Sequence, residues 1–309
     1  MNIIKPGYMI EERDEQRGGL AIIERAARTC YKTEDRISEG TAERMVRALI
    51  NRRHEAMLEH GDYIFMLEDY SIMSHIAYAL RRLMEDGEDV PMLRMTNIDE
   101  RPIISGNIRA WREFLDSRCI ASHYFTGAID PIYLEDIVPE EDREPDPRVK
   151  QIRYCDLQEE KEKRVHLRQT VRFTVDRGVT HEFVRHRVMS FAQESSRYCD
   201  YSGNGITVIE PGYLTGGSDS YGVWLHHCVS ADVAYDREKE LGLKPEEARA
   251  VLPQSTKAEL VMTGTLGQWD HFFDLRARQT TGRTHPQAAE VAIPLMRDMA
   301  ERFPDVIRA

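Results

Sequence analysis

Arg185, His186 and Arg187 stand side by side in the stretch RHRVMSFAQESSRY, and Ser190, Gln193, Ser195, Ser196 and Arg197 follow directly. Planar guanidinium forks flanked by hydroxyl and amide donors are what bidentate capture of a phosphate requires. The stretch therefore reads as a site for a small anionic molecule. Three other chemistries fit these residues less well. In HEFVRH the two histidines, His181 and His186, lie five apart, which turns them about 140° round an α-helix, whereas zinc ligands four apart share a face. Cys199 follows Arg197 and Tyr198, and neighbouring positive charge activates a thiol, yet nothing in the sequence sets a base beside it. Ser195 lacks the G-x-S-x-G turn that presents a nucleophilic serine.

The cationic stretch stands out against an acidic chain. Its 309 residues include 42 Lys and Arg against 53 Asp and Glu, a formal charge of −11, the opposite of the broad cationic footprint that coating nucleic acid needs. No nucleic-acid partner is expected, and a nucleotide- or RNA-binding module using the Arg-rich loop for phosphate stands as the alternative function. Hydrophobic residues make up 41%, and no apolar run approaches the ~20 residues that span a bilayer, so no membrane partner is expected either. The N-terminus, MNIIKPGYMIEERDEQ, lacks the basic segment, apolar core and cleavage site of an export signal, and the cytoplasm is the expected location. Five cysteines, an odd number with no C-x-x-C pair, read as reduced thiols.

The surrounding elements must position the stretch. GGLAIIERAARTCY and SEGTAERMVRALINRRHEAML space their apolar residues three and four apart, as amphipathic helices do, with Ser38 or Thr41 as cap of the second. DYIFMLED reads as a strand, SIMSHIAYALRRLMEDG as a helix ending at Gly87, and RPIISGNIRAWREFLDSR as a strand turning into a helix near Ser105 or Asn107. HLRQTVRFTVD alternates through Val171, Phe173 and Val175 as a half-buried strand, and RGVTHEFVRHR follows as a helix with Gly178 and Thr180 at its start. Most of the chain beyond the glycine-rich turns YSGNG and TGGSDSYG reads as helix, including TKAELVMTGTLGQWDHFFDLRAR. The acidic, proline-bearing segment 127–162 reads as a solvated insertion. The expected class is α+β, with a central twisted, mainly antiparallel sheet flanked by helix clusters and a helical C-terminal half. The expected organisation is one domain over 1–309 with that acidic insertion.

RHRVMSFAQESSRY resembles the R-H-R, seven residues, serine signature of the flavin-dependent thymidylate synthases, with Ser195 as the serine. Other segments are similar in order: AARTCY, then HEAMLEHGDYIFML with Glu59 and His60, then ARAVLP with Arg249, then HFFDLRARQTTGRTHPQAAEVA with Arg276. The resemblance implies reductive methylation of dUMP to dTMP, with FAD as redox carrier, methylenetetrahydrofolate as carbon donor and NADPH as reductant. It also implies a homotetramer whose active sites are shared between subunits. Carried across by position, it gives Arg185, His186, Arg187, Gln193, Ala56 and His271 to the flavin. It gives Glu182, Arg185, Gln193, Glu194, Ser195, Ser196, Arg197 and Arg249 to dUMP, and Arg276 to the uracil ring as the catalytic residue; no metal is implied. This sequence departs from the pattern at Glu194, where a bulky apolar residue is frequent, at Ala192, at Ala56, and at Thr265-Leu266-Gly267, which lacks the family's asparagine-x-arginine.

Overall fold

Val171, Phe173 and Val175, the alternating residues of the expected strand, are all fully buried, and the strand they belong to is an inner strand of one of two four-stranded sheets. The computed structural model describes residues 1–309, apart from the side chain of Gln16. Strands β1 (Asn2–Ile4) and β2 (Gly7–Ile10) lead into helices α1 (Leu20–Tyr31) and α2 (Thr41–Asn51). Strand β3 (Asp62–Leu67), helix α3 (Tyr70–Glu85), strands β4 (Arg94–Ile98) and β5 (Arg101–Asn107) and helix α4 (Ile108–Asp116) follow. Next come β6 (Val149–Gln151), α5 (Glu160–His166), β7 (Arg168–Asp176), α6 (Arg177–Phe183), β8 (Ser190–Gln193) and β9 (Thr207–Ile209). The chain finishes with α7 (Asp219–Glu240), α8 (Pro245–Ala248), β10 (Lys257–Thr265), α9 (Leu266–Arg276) and α10 (Pro286–Arg302).

The class is α+β and the strands are mainly antiparallel, as expected. The strands divide, however, between two four-stranded antiparallel sheets, ordered β2-β7-β10-β8 and β4-β5-β3-β6, with β1 and β9 forming a small parallel pair. The reason lies in the composition of β3. Its residues Tyr63, Ile64, Phe65 and Leu67 are all buried, so both faces of this sheet are covered. Tyr63, Phe65 and Leu67 face one core with Ile104, Trp111 and Phe125, while Ile64 and Ile103 face the other, with Phe173, Trp269 and Phe272. Edge-to-face rings knit each core: Phe65 to Trp111 at 5.2 Å and Phe183 to Phe272 at 5.0 Å between centroids.

Four further sequence expectations need correction. TKAELVMTGT, read as helix, is strand β10; its Ala, Glu, Leu and Met favour helix, but pairing with β7 along nine residues, from Lys257 opposite Asp176 to Thr265 opposite Arg168, overrides that preference. The acidic segment is not a solvated insertion. Ile129, Ile132, Tyr133, Leu134 and Val138 are buried in the first core, and Val149–Gln151 pairs with β3. A Cβ on Gly127 would come within 2.3 Å of the backbone of Glu144 and Pro145, so the segment crosses itself where only glycine fits. Several of its carboxylates are tied down, Asp136 by Arg112 at 2.8 Å and Glu135 by Arg47 at 3.1 Å. Finally, α6 is capped not by Thr180 but by Asp176, whose Oδ1 accepts from the Val179 amide at 2.8 Å. Asn107 caps α4 as expected, accepting from the Ala110 amide at 2.8 Å, while α2 starts after Gly40 with no side-chain cap.

Two buried histidines tie the segments beside the strands to the sheets: His166, at the end of α5, to β4 and β5, and His60, before β3, to β10. His166 shares hydrogen bonds with Thr96 (2.8 Å) and Ser105 (2.7 Å), and His60 with Thr263 (2.7 Å). Burial, helped by the positive charges of Arg168 for His60 and Arg94 for His166, pushes both imidazoles down to about 3. Both rings are neutral in the native state, whereas an unfolded chain protonates them near pH 6.5. Between pH 6.5 and about 3 the unfolded state therefore binds more protons, and stability falls as pH falls. The thermal midpoint is expected to drop steadily across this window and to drop less in a His166→Gln variant; parallel profiles for the two proteins would count against the assignment.

Candidate active site

Strand β7 passes directly into α6, which carries Glu182, and the turn after α6 holds Arg185, His186 and Arg187 before β8 begins. At the opposite end of the ladder β10 passes as directly into α9, whose last residue is Arg276. Adjacent antiparallel strands thus deliver Arg276 to α6. Its Nη1 donates to Glu182 Oε2 at 2.8 Å, its Nη2 to the Glu182 carbonyl at 2.9 Å, and its Nε to His186 Nε2 at 3.3 Å. The last bond requires an unprotonated Nε2. That state is favoured, because burial and then the charges of Arg276 and His271 push the His186 imidazole down to about 4. The ring also packs on Phe272, 4.9 Å between centroids. The exposed His271 lies at the edge of this group, its ring 6.2 Å from that of His186.

A second group forms after β8. Arg249 Nη1 donates to Ser196 Oγ at 3.5 Å, the Ser195 amide donates to the Cys30 carbonyl at 3.1 Å, and Arg197 Nε reaches Glu246 at 3.3 Å. Tyr198 packs on Tyr31, 5.0 Å between rings. Gln193 links the two groups, for its Nε2 donates to Thr180 Oγ1 on α6 at 3.1 Å. The remaining expected residues lie elsewhere. Ala56 lines an open cleft of about 970 Å3, with Cys30, Tyr31, Arg53 and His54. Arg187 lines a separate cavity of about 400 Å3. Arg185 and Arg187 are exposed, and among the described residues neither guanidinium has a hydrogen-bond or ion-pair partner. Glu59 and His60 serve the fold, Glu59 by holding Arg109 at 2.9 Å.

Glu194 is turned inward, with its side chain 2% exposed. Its carboxylate accepts from Lys257 Nζ at 2.7 Å, the Glu259 amide at 3.1 Å and the Tyr201 hydroxyl at 3.2 Å. Lys257 also meets Glu259 (3.0 Å), which meets Lys32 (2.7 Å), so the charge of Glu194 is balanced within a relay that runs from the interior out to the exposed Lys32. Sequence reasoning missed Lys257 and Tyr201. The one signal was a carboxylate where the family has an apolar residue, which demanded a cation that sequence distance hid.

The sequence profile of the family described as thymidylate synthase complementing protein matches residues 14–84 and 136–305. The chain belongs to this family. Both site groups lie inside the matched stretches, whereas the unmatched internal stretch, 85–135, contains β4, β5 and α4. A flavin-dependent thymidylate synthase of Pyrococcus furiosus is 30% identical over 128 residues, 41% of this chain and 51% of that protein. One from Geobacter sulfurreducens is 27% identical over 134 residues, 43% and 56% of the two chains. The chain thus spans about half the length of the curated relatives it matches. The solved structure of a UMP/dUMP methylase, PolB, from Streptomyces cacaoi bound with 5-Br dUMP aligns over 97% of this chain and 93% of that one, at 17% identity and a TM-score of 0.41, too low for the likeness to bear on fold or chemistry.

Exchange of Lys257 for Met strands the buried Glu194 carboxylate without its cation and is expected to cost about 3 kcal/mol, read from urea unfolding. The Glu194→Leu/Lys257→Met double exchange should recover most of that loss. A single variant as stable as the parent protein would remove the pair from any role in holding the loop.

Proposed function

We propose that this family member catalyses reductive methylation of dUMP to dTMP, with methylenetetrahydrofolate as carbon donor, FAD as redox carrier and NADPH as reductant. The observation that carries the proposal is the pairing of two groups through Gln193: Ser195, Ser196, Arg197 and Arg249 around one loop, and Arg276 clamped by Glu182 beside a neutral His186. In this proposal the loop takes the nucleotide phosphate, through hydroxyl donors and guanidinium forks. Arg276, its orientation fixed by two bonds to Glu182, donates to a uracil carbonyl and favours the polarised ring. A neutral His186 serves this arrangement, since an imidazolium beside Arg276 would repel it and lose the Nε bond. Glu194, neutralised by Lys257, acts as an anchor of the loop rather than as a dUMP ligand.

The residues present suit a flavin dinucleotide. The cleft beside Ala56 has a volume of about 970 Å3, near the upper end of the roughly 300–1,000 Å3 typical of ligand pockets. Arg185 and Arg187 do not line that cleft within the protomer, but are cations without internal partners among the described residues. A bound flavin would supply the electron transfer that reduces the transferred carbon, while the chain binds, orients and excludes water. A homotetramer with shared active sites suits a protomer in which Ala56 and Arg187 open on different cavities. No helix among the described residues is long and apolar enough to cross a membrane; a cytoplasmic setting belongs to the same proposal.

Supplied with FAD, methylenetetrahydrofolate and NADPH, the purified protein is expected to release tritium from dUMP labelled at ring carbon 5, and to show bound-flavin absorbance. A protein that takes up no flavin and releases no tritium would overturn the proposal. Arg276→Ala should lower turnover by roughly 10²–10³-fold, the effect of losing a donor aimed at developing charge, with a melting curve close to that of the parent protein. Near-normal turnover in this variant would show that Arg276 has been misassigned.

A further inference from the structure

The cavity of about 400 Å3 has two origins. One wall comes from residues inside the family match, including Arg168, Arg187 and Ser190; the other comes from the unmatched segment, including Arg94 on β4. Arg168 opens β7 and is only 9% exposed. Its Nη2 donates to the Glu59 carbonyl at 2.9 Å and to Ser190 Oγ at 3.3 Å, both uncharged acceptors, and its Nε is buried with no partner. Arg94 is half-buried, and among the described residues its guanidinium has no hydrogen-bond or ion-pair partner. Burial and then the charge of Arg168 both work against the charge on Arg94.

The acidic residues nearby do not resolve this conflict. Glu59 and Glu113 are both engaged by Arg109, at 2.9 and 2.8 Å. Asp89 is exposed on the rim. Asp62 and then Glu59 favour the charge on Arg168 at longer range, but burial outweighs them, and the Asp62 carboxylate is bonded to the Tyr154 hydroxyl and that of Glu59 to Arg109. Arg94, Arg168 and Arg187 therefore line one cavity as cations with no carboxylate at ion-pair distance. Like charges held together and partly desolvated are stable only with a counter-charge. Guanidinium forks match phosphate oxygens in pairs. At the same cavity Met92 and Val188 are 59% and 57% exposed, an apolar shoulder beside the cationic floor.

We propose that this cavity binds the pyrophosphate of an organic ligand through Arg94, Arg168, Arg187 and Ser190, with the organic part lying against Met92 and Val188. Where the ligand is the flavin, the proposal rests on the function proposed above, which gives Arg187 to that cofactor; the binding of the probes themselves does not depend on methylation. Two sources carry this group, the flavin dinucleotide itself and a separate nucleoside diphosphate. Arg94 is the residue to test, since it lies outside the family-matched chain and outside the proposed dUMP and flavin contacts.

Inorganic pyrophosphate and ADP are the probes, titrated by calorimetry and by thermal shift into the full chain, with and without saturating FAD. Both are expected to bind and to raise the melting temperature, ADP more tightly because of the apolar shoulder. Arg94→Gln should weaken both by at least tenfold, leave dUMP affinity unchanged, and melt no lower than the parent protein without ligand, because the exchange relieves repulsion on Arg168. Loss of pyrophosphate binding in FAD-saturated protein would assign the cavity to the flavin's own phosphates, and unchanged binding would assign it to a second nucleotide. Absence of any pyrophosphate or ADP binding by the flavin-free protein, or equal binding by Arg94→Gln, would overturn the proposal whether or not the protein methylates dUMP.

Discussion

The site depends on one antiparallel ladder. Nine residues of β7 lie against nine of β10, and each strand runs without a break into a helix that carries half of the Arg276 group, Glu182 on α6 and Arg276 on α9. Because the strands run in opposite directions, their C-terminal ends lie at opposite ends of the ladder, and the helices must return along the sheet for Arg276 and Glu182 to meet. They do so over Phe173, Phe183, Trp269 and Phe272, all fully buried. The hydrophobic contact that folds the helices back is therefore what sets the geometry of the polar group.

Much of this site could be read from sequence because its chemistry is local. Arg185 to Arg197 occupy one short strand and the turns on either side of it, so residue type and spacing alone single them out as a cluster. The partner of Glu194 could not be read this way. Lys257 lies 63 residues further on and reaches it only because β8 and β10 pair, and β10 itself is composed of residues that favour helix. The acidic segment misled for a related reason. Its charges dominate the composition, while the consecutive Ile132, Tyr133 and Leu134 that decide its burial are too few to impose a period. The two sheets were hidden in the same way: YIFML is apolar on both faces, which marks a strand but not the layers it separates.

Charge is handled differently at each depth of the molecule. In the interior, histidines stay neutral and share hydrogen bonds with hydroxyls. One layer out, carboxylates and cations alternate, as in Glu194, Lys257, Glu259 and Lys32. At the turn after α6 and around the cavity facing β4, Arg185, Arg187 and Arg94 carry guanidiniums with no hydrogen bond or ion pair among the described residues. A chain with a net charge of −11 surrounds these unpaired cations with a field that favours their protonated state but also repels incoming anions. Capture there must rest on short-range, directional bonds rather than on long-range steering.

The two-sided burial of β3 has a consequence for how its alignment is protected. In a sheet with one wet face, a slip of one residue turns apolar side chains into water, and polarity keeps the strand in place. Here a slip would expose little. It would instead carry Tyr63 and Phe65 into the space now shaped for Ile64, and Ile64 into the space shaped for the two rings, overfilling one compartment while hollowing the other. The strand is therefore held in alignment by a mismatch of volumes, a lock that acts only once both compartments have closed around it.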